Sequence, residues 1–482
     1  MKIFDNTVFD TKAFFKTTFV LLVITALQMA TSGNAYVFMV PIAIFAILTR
    51  RVEQMTFWLM CSVLLIIGNK YFMPASPAFL IAQRGMFAFM GLVSLMQITS
   101  RRSNPIVAPF LWMFLYIFYM AIVSAAGWNP TISYLKLILF SAIYLAYYGV
   151  ANLAGQSHRF NERVVRSIIL AVCAYLILGS IALIPFPALG QLSGEEFDAS
   201  LRAGHDVVSL FKGMTMHSQT LAPVMASTFA LLFADLVINV RKMNVFYLVL
   251  LLLCPYLIYL TSSRTGMLAL LAGIAVPSYC VVRMRGIGVR WRGKVKSALF
   301  VLFAAAFVAF AAVPQVRDSV VRFALKWNKD ARASDFTVTD AVSSRQGLID
   351  SALDNFKKSP VIGNGFQVSE AYASLRRSTL KDLLSAPIEK GVWITAILEE
   401  GGFVGFMILV SFYLGLGLTL LRRGAYTGLT TLSVLLFANM GEFTMFSMSA
   451  MGGYAWAMVF VGVAMDSARI RRDSRTIVVT AR

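Results

Sequence analysis

The sequence predicts an all-α integral membrane protein: a bundle of about fourteen transmembrane helices with one large helical loop on the outer side. Three observations predict it. Of 482 residues, 58% are hydrophobic and only 14% charged, against about a quarter charged in ordinary soluble domains. Mean hydropathy is +0.73, and long apolar runs recur from end to end. Finally, the 43 basic residues, against 23 acidic for a formal charge of +20, fall in alternate loops. This composition excludes a soluble enzyme, a disordered chain and a disulfide-stapled secreted scaffold.

Windowed hydropathy places spans at 17–33, 35–49, 55–69, 78–98, 106–127, 132–153, 164–188, 216–240, 244–261, 265–282, 297–314, 403–421, 425–441 and 448–467. The segment before the first span is polar, and the first apolar run ends without a small-residue cleavage site, so no cleavable signal is expected. With a cytoplasmic N-terminus, the loops bearing Arg50/Arg51, Arg101/Arg102, Arg159/Arg163/Arg166, Arg241/Lys242, Arg283 to Lys296 and Arg422/Arg423 all face inward. The tail with Arg469, Arg471, Arg472 and Arg475 does too. The opposite loops 70–77, 128–131 and 442–447 carry almost no basic residues. The positive-inside rule thus accounts for the excess charge, and nucleic acid is not expected as a partner. Cys61, Cys173, Cys254 and Cys280 all lie inside apolar runs without metal or disulfide spacing, so they read as small core residues.

The domain reading has three parts: helices one to eleven with short loops over 1–314, a large outer loop over 315–402, which becomes periplasmic under the resemblance given below, and helices twelve to fourteen with a basic cytoplasmic tail over 403–482. Within the loop, Val316, Val320, Phe323 and Trp327 share a helical face. Leu348, Ala352 and Phe356 share another, and Tyr372, Leu375, Thr379 and Leu383 a third.

Ionisable groups at membrane depth mark function by default. Arg84 sits inside the outer end of span four and Lys136 inside that of span six; each can also snorkel to the interface. Arg264 stands where span ten begins, in Ser262-Ser263-Arg264-Thr265-Gly266. The echo Ser343-Ser344-Arg345-Gln346-Gly347 has capping-box spacing from Ser343 to Gln346, which predicts a helix starting at Ser344 with Arg345 in its first turn. A helix N-terminus with an arginine offers N–H groups, partial positive charge and a planar donor matched to phosphate. Two such devices at one face point to a polyanion such as a pyrophosphate; the alternative is two capped helices with arginines in water. His217 opens span eight, and a single histidine without ligand-type neighbours is a poor metal site, leaving binding to a sugar hydroxyl or phosphate. Neither metal nor cofactor is expected. Glu389 is a candidate general base, or a structural partner of Lys390 or Arg345. Glu399 and Glu400 suit the N-terminus of the following helix. Asp235 receives no role.

The order of these elements resembles the bacterial O-antigen ligase and O-antigen polymerase (Wzy-like) superfamily. A His motif opens one helix and Ser-Ser-Arg-Thr-Gly another. A long outer loop follows with Ser-Arg-Gln-Gly-Leu, then Asn355-Phe356-Lys357-Lys358-Ser359-Pro360-Val361-Ile362-Gly363-Asn364-Gly365-Phe366, then Leu398-Glu399-Glu400-Gly401-Gly402-Phe403-Val404-Gly405. The likeness covers about residues 213–410. It implies a metal-independent, inverting membrane glycosyltransferase of the GT-C type. Such an enzyme takes a glycan from an undecaprenyl-diphosphate carrier at the periplasmic side of the inner membrane. Arg264 and Arg345 would hold the diphosphate, aided by Arg84 and Lys136. Many members carry a His-Asn pair before the Glu-x-Gly-x-x-Gly element; here the stretch is Ile388-Glu389-Lys390-Gly391, so Glu389, or else His217, would take the base's part. The span count favours a polymerase, which extends another lipid-linked repeat unit, over a ligase acting on lipid A–core. The implied partners are the carrier-linked oligosaccharide, the glycan acceptor, membrane lipids and a chain-length regulator. A flippase of lipid-linked glycans is the competing class, but it would place polar groups at mid-membrane.

Overall fold

The computed structural model describes residues 9–49, 51–100, 104–156, 161–191, 211–238, 245–283, 338–368, 391–441, 443–447 and 451–480. Every expected span except 297–314 overlaps a described helix, and 297–314 lies outside the described residues. In chain order the helices are α1 (Thr11–Ala30), α2 (Ala35–Leu48), α3 (Val52–Ile67), α4 (Pro77–Ser100), a 3-10 turn (Ala108–Trp112), α5 (Met113–Ala125), α6 (Pro130–Gln156) and α7 (Glu162–Ala182). They continue with the single turn α8 (Pro187–Gly190), α9 (Ser218–Ile238), α10 (Val245–Leu260), α11 (Arg264–Arg283), α12 (Val338–Lys358), α13 (Trp393–Arg423), α14 (Tyr426–Ala438) and α15 (Met451–Thr480). The chain is an all-α polytopic membrane protein; eight stretches are long and apolar enough to cross a bilayer, with four shorter apolar helices beside them. Two isolated bridges, Gly68 with Thr215 and Gln191 with Phe211, are the β-type pairings described.

Local chemistry sets the helix starts. Asp10 caps α1 by accepting the Ala13 N–H at 2.9 Å, and Asn161 caps α7 through Arg163 and Val164. Prolines 41, 223, 255 and 277 lie inside helices, a pattern membrane helices tolerate because neighbouring helices satisfy the freed groups. α9 is enclosed along nearly its whole length, packed by α10, α11, α14 and α15; α4 pairs with α6, and α12 lies on α13. The four cysteines are buried within this packing.

Loops and helix ends form two groups. At one, Glu53 accepts the Asn161 N–H, Asn104 joins Asn152 and Ser467, and Arg166 bridges to Asp235. At the other, Gln28 reaches Pro74, Asn69 reaches Leu189 and Gly213, and Trp128 bonds Asn364. The groups correspond to alternate connections, which is the up-and-down order the basic residues imply.

Candidate functional site

α9 and α11 run parallel and start side by side. A Cβ at Gly266 would come within 2.6 Å of Ala222 Cβ, and one at Gly273 within 3.3 Å of Ala230 Cβ. The two contacts, seven residues apart on α11 and eight on α9, run in the same chain direction, so the helices' first turns share one end of the bundle. Small residues permit this close approach where lipid gives no hydrophobic drive to pack. Ser263 caps α11: its Oγ accepts the Gly266 N–H at 3.1 Å, and its carbonyl takes the Met267 N–H. Arg264 is therefore the first residue of α11, as its sequence context predicts, and it is half-buried.

His217 precedes α9. Its Nδ1 accepts the Gln219 N–H at 3.1 Å while its carbonyl takes the N–H groups of Thr220 and Leu221. A ring nitrogen that accepts carries no proton, so in this arrangement neutral His217 holds its proton on Nε2. The same turn contains Lys212, 2% exposed, with Nζ 5.2 Å from the Tyr71 ring centre. This buried lysine is absent from the sequence-derived set; a basic residue five positions ahead of His217 at a span's outer end was the available signal.

Arg345 departs from its expected setting. Among the described residues α12 already runs from Val338, so Arg345 is two turns inside the helix and not in its first turn. Gln346 instead donates to Asp350 one turn on, at 2.9 Å. The second helix-start device is thus not formed as the capping-box spacing suggests, because the preceding residues continue the helix. A series of neighbouring contacts leads from the turn after Arg345 towards the α11 start. Leu348, three residues on, adjoins Gly391; the Trp393 N–H bonds the Asn439 carbonyl at 3.2 Å; and Gly441 adjoins Thr265. Glu389 lies outside the described residues.

Lys136 is buried in α6 and donates to the Gln367 carbonyl at 3.0 Å, which gives it a loop-fixing contact. Arg84 is half-buried two turns into α4.

Gln367, which Lys136 touches, directly follows the Ser359–Phe366 element. α13 is broken at Gly402, whose φ is 62° and ψ −167°. In an unbroken helix the Phe403 and Val404 N–H groups would bond the Glu399 and Glu400 carbonyls. Here they bond the Pro360 and Val361 carbonyls at 2.9 and 3.2 Å. The orphaned Glu399 and Glu400 carbonyls accept from the Asn364 and Gly365 N–H groups, each at 3.0 Å. The loop thereby completes the broken ladder in both directions, which matters where an unsatisfied backbone group costs several kcal/mol. A Cβ at Gly363 would stand 2.3 Å from the Glu400 carbonyl oxygen, and one at Gly402 2.3 Å from that of Val361; both also have left-handed φ.

Side chains lock the same clasp. Asn364 Nδ2 donates to the Asn355 and Glu399 carbonyls at 3.1 and 3.0 Å, and Asn355 Nδ2 donates to Glu399 Oε1 at 3.0 Å. Tyr119 donates to the Gly401 carbonyl at 2.8 Å and Ser133 to that of Phe366 at 2.8 Å. Glu399 and Glu400 are buried, at 3% and 0% exposure. They sit inside α13 ahead of its break, rather than at the solvent-facing start of span twelve, because the helix begins at Trp393. Among the described residues no cluster of His, Cys, Asp and Glu has the makings of a metal site.

Residues 246–387 match a family model described as O-antigen ligase. The matched stretch holds Arg264, Arg345 and the clasp loop, and it supports the O-antigen ligase and polymerase superfamily. No curated protein matches the chain.

Proposed function

From the O-antigen ligase segment at residues 246–387, we propose that the chain is an inner-membrane polysaccharide polymerase. It would move a glycan from an undecaprenyl-diphosphate carrier to the end of another lipid-linked repeat unit on the periplasmic side. The observation that carries the reading is the pairing of the α9 and α11 starts, which brings His217 and Arg264 to one end of two parallel helices. Two helix N-termini and a guanidinium concentrate positive potential where a diphosphate leaving group gains charge.

In the inverting reaction the acceptor hydroxyl oxygen attacks the anomeric carbon as the bond to the diphosphate oxygen breaks. The electron pair leaves with the carrier diphosphate, and the hydroxyl proton passes to a base. Arg264 and Arg345, with Arg84 and Lys136 in support, would hold the diphosphate. His217, with its proton on Nε2, suits donation to a phosphate or sugar oxygen; taking up the hydroxyl proton there would first require release of the Gln219 N–H. Glu389 is our candidate for the base, as the resemblance implies.

The test is the lipid-linked glycan profile of cells carrying Arg264→Ala in place of the wild type, with membrane abundance measured alongside. Single repeat units on lipid A–core or on the carrier are the expected result. Wild-type chain lengths at normal abundance would remove the diphosphate role of Arg264. Glu389→Gln should lower turnover by roughly 10²–10⁴-fold, the usual contribution of a general base, whereas Glu389→Asp should retain part of it. Full activity of the Gln variant would exclude Glu389 as base. The ligase reading has one observation of its own, the description of the matched family. Long chains stranded on the carrier in cells lacking the protein would establish it.

A further inference from the structure

The clasp has an outward face that the ladder and its side-chain bonds leave unexplained. Val361 is 60% exposed and Ile362 49%. Two adjacent branched apolar side chains at the tip of a tight turn are an unfavourable choice for water. They do not stand alone. Beyond the break in α13, Phe403, Met407, Leu414 and Leu418 are exposed on one helical face, and α13 is one of the helices long and apolar enough to cross a bilayer. The Val361 carbonyl bonds the Val404 N–H, so the turn abuts the first residues of that stripe. Polar groups begin just to the other side. Lys358 lies 6.0 Å from the Trp128 ring centre, and the exposed Lys357 pairs with Asp354 at 2.8 Å.

We propose that this turn is an interfacial membrane anchor, with Val361 and Ile362 set in the acyl–headgroup boundary of the bilayer and Trp128 and Lys358 at headgroup level. The occupant of the surface is phospholipid, because the exposed pair continues the lipid-facing stripe of α13 and is bordered by a tryptophan and a lysine. That is the residue pattern of a membrane–water interface. Asp350 and Asp354 stand among the two lysines, so the local charge is nearly balanced and the anchor needs no anionic headgroup. The position also accounts for the completeness of the ladder exchange at Gly402: at this depth few waters remain to satisfy an open helix break. The inference stands independently of the glycosyltransferase reading.

The test uses the full-length chain in phosphatidylcholine liposomes, with Val361→Cys and Ile362→Cys each carrying a nitroxide. The native cysteines are buried, and the unsubstituted chain supplies the labelling background. Accessibility to oxygen, which partitions into lipid, is compared with accessibility to an aqueous nickel chelate. Leu414→Cys is the bilayer reference, and Gln346→Cys, on the exposed face of α12, is the aqueous one. Both clasp labels should favour oxygen over nickel several-fold, at a ratio between the two references. A ratio equal to that of Gln346→Cys would place the turn in water and overturn the anchor. Low accessibility to both agents, with an immobilised spectrum, would mean that protein covers the turn, either a second copy or another part of the chain, and would overturn it equally.

Discussion

The two ends of the bundle use the same kind of residue in opposite ways. At the Asp235 end, basic side chains close on acidic ones inside the protein. Arg166 contacts Asp235 at 2.8 Å and Glu162 at 2.6 Å, and Arg469 meets Asp466 at 3.2 Å. Asp466 also accepts from Thr427 and the Gly428 N–H. At the His217 end an ion pair, Lys357 with Asp354, lies exposed on the surface, and three more enclosed basic groups are set against a helix start, a backbone carbonyl and an aromatic ring: Arg264 at the head of α11, Lys136 on the Gln367 carbonyl, Lys212 over Tyr71. The comparison separates two uses of positive charge. One neutralises buried carboxylates and fastens helices; the other sets basic groups against carbonyl, ring and helix start, with Arg264 at the head of α11 beside the start of α9.

Substitutions can break or sharpen this contrast. The largest effect should come from Arg166→Ala, which strands a buried Asp235 and should cost about 3–5 kcal/mol, read as lost membrane abundance or a lowered unfolding temperature. Converting the pair to apolar residues, Arg166→Met with Asp235→Leu, should recover much of that loss, while turnover per folded molecule stays near wild type. Arg264→Ala should do the reverse, with near-normal abundance and turnover down about 10²–10³-fold, equivalent to about 3–4 kcal/mol of transition-state stabilisation. Equal losses of abundance in both variants would erase the functional distinction between the ends. Gly402→Ala forces a side chain into left-handed backbone and against the Val361 carbonyl, and should cost more than about 1–3 kcal/mol, measured by thermal unfolding in detergent. Asn364→Ala should cost less, about 1–3 kcal/mol for the carbonyls it leaves unmatched. A protease-resistance profile identical to wild type in Asn364→Ala would mean that the backbone ladder alone holds the clasp.

Much of the architecture was legible in the sequence because membrane helices are dictated by composition over about twenty residues, and the alternation of basic loops checks their count. The start of α11 at Arg264 was legible for a local reason, since Ser263 caps its own helix. The start of α12 was not. The spacing of Ser343 and Gln346 is a genuine capping pattern, yet the helix extends back to Val338; a cap motif states what can begin a helix and not what must. The roles of Glu399, Asn355 and Asn364 were hidden for a different reason. Their bonds span 9 to 44 residues of sequence, and no period or spacing rule reaches that far. Arg166 and Asp235, 69 residues apart, escaped notice in the same way.

The class of protein, the placement of its apolar spans, the up-and-down order of its loops and the local settings of His217 and Arg264 are written in the order of residues alone. These follow from solvent preference and local hydrogen bonding, which are read within one or two turns of chain. That α9 and α11 lie parallel with their starts together, that Asp235 serves Arg166, and that the Ser359–Phe366 turn completes a helix broken at Gly402 emerge in the folded bundle. Those outcomes depend on which small residues let two backbones approach and on where displaced backbone groups find partners, and both belong to the packed bundle as a whole.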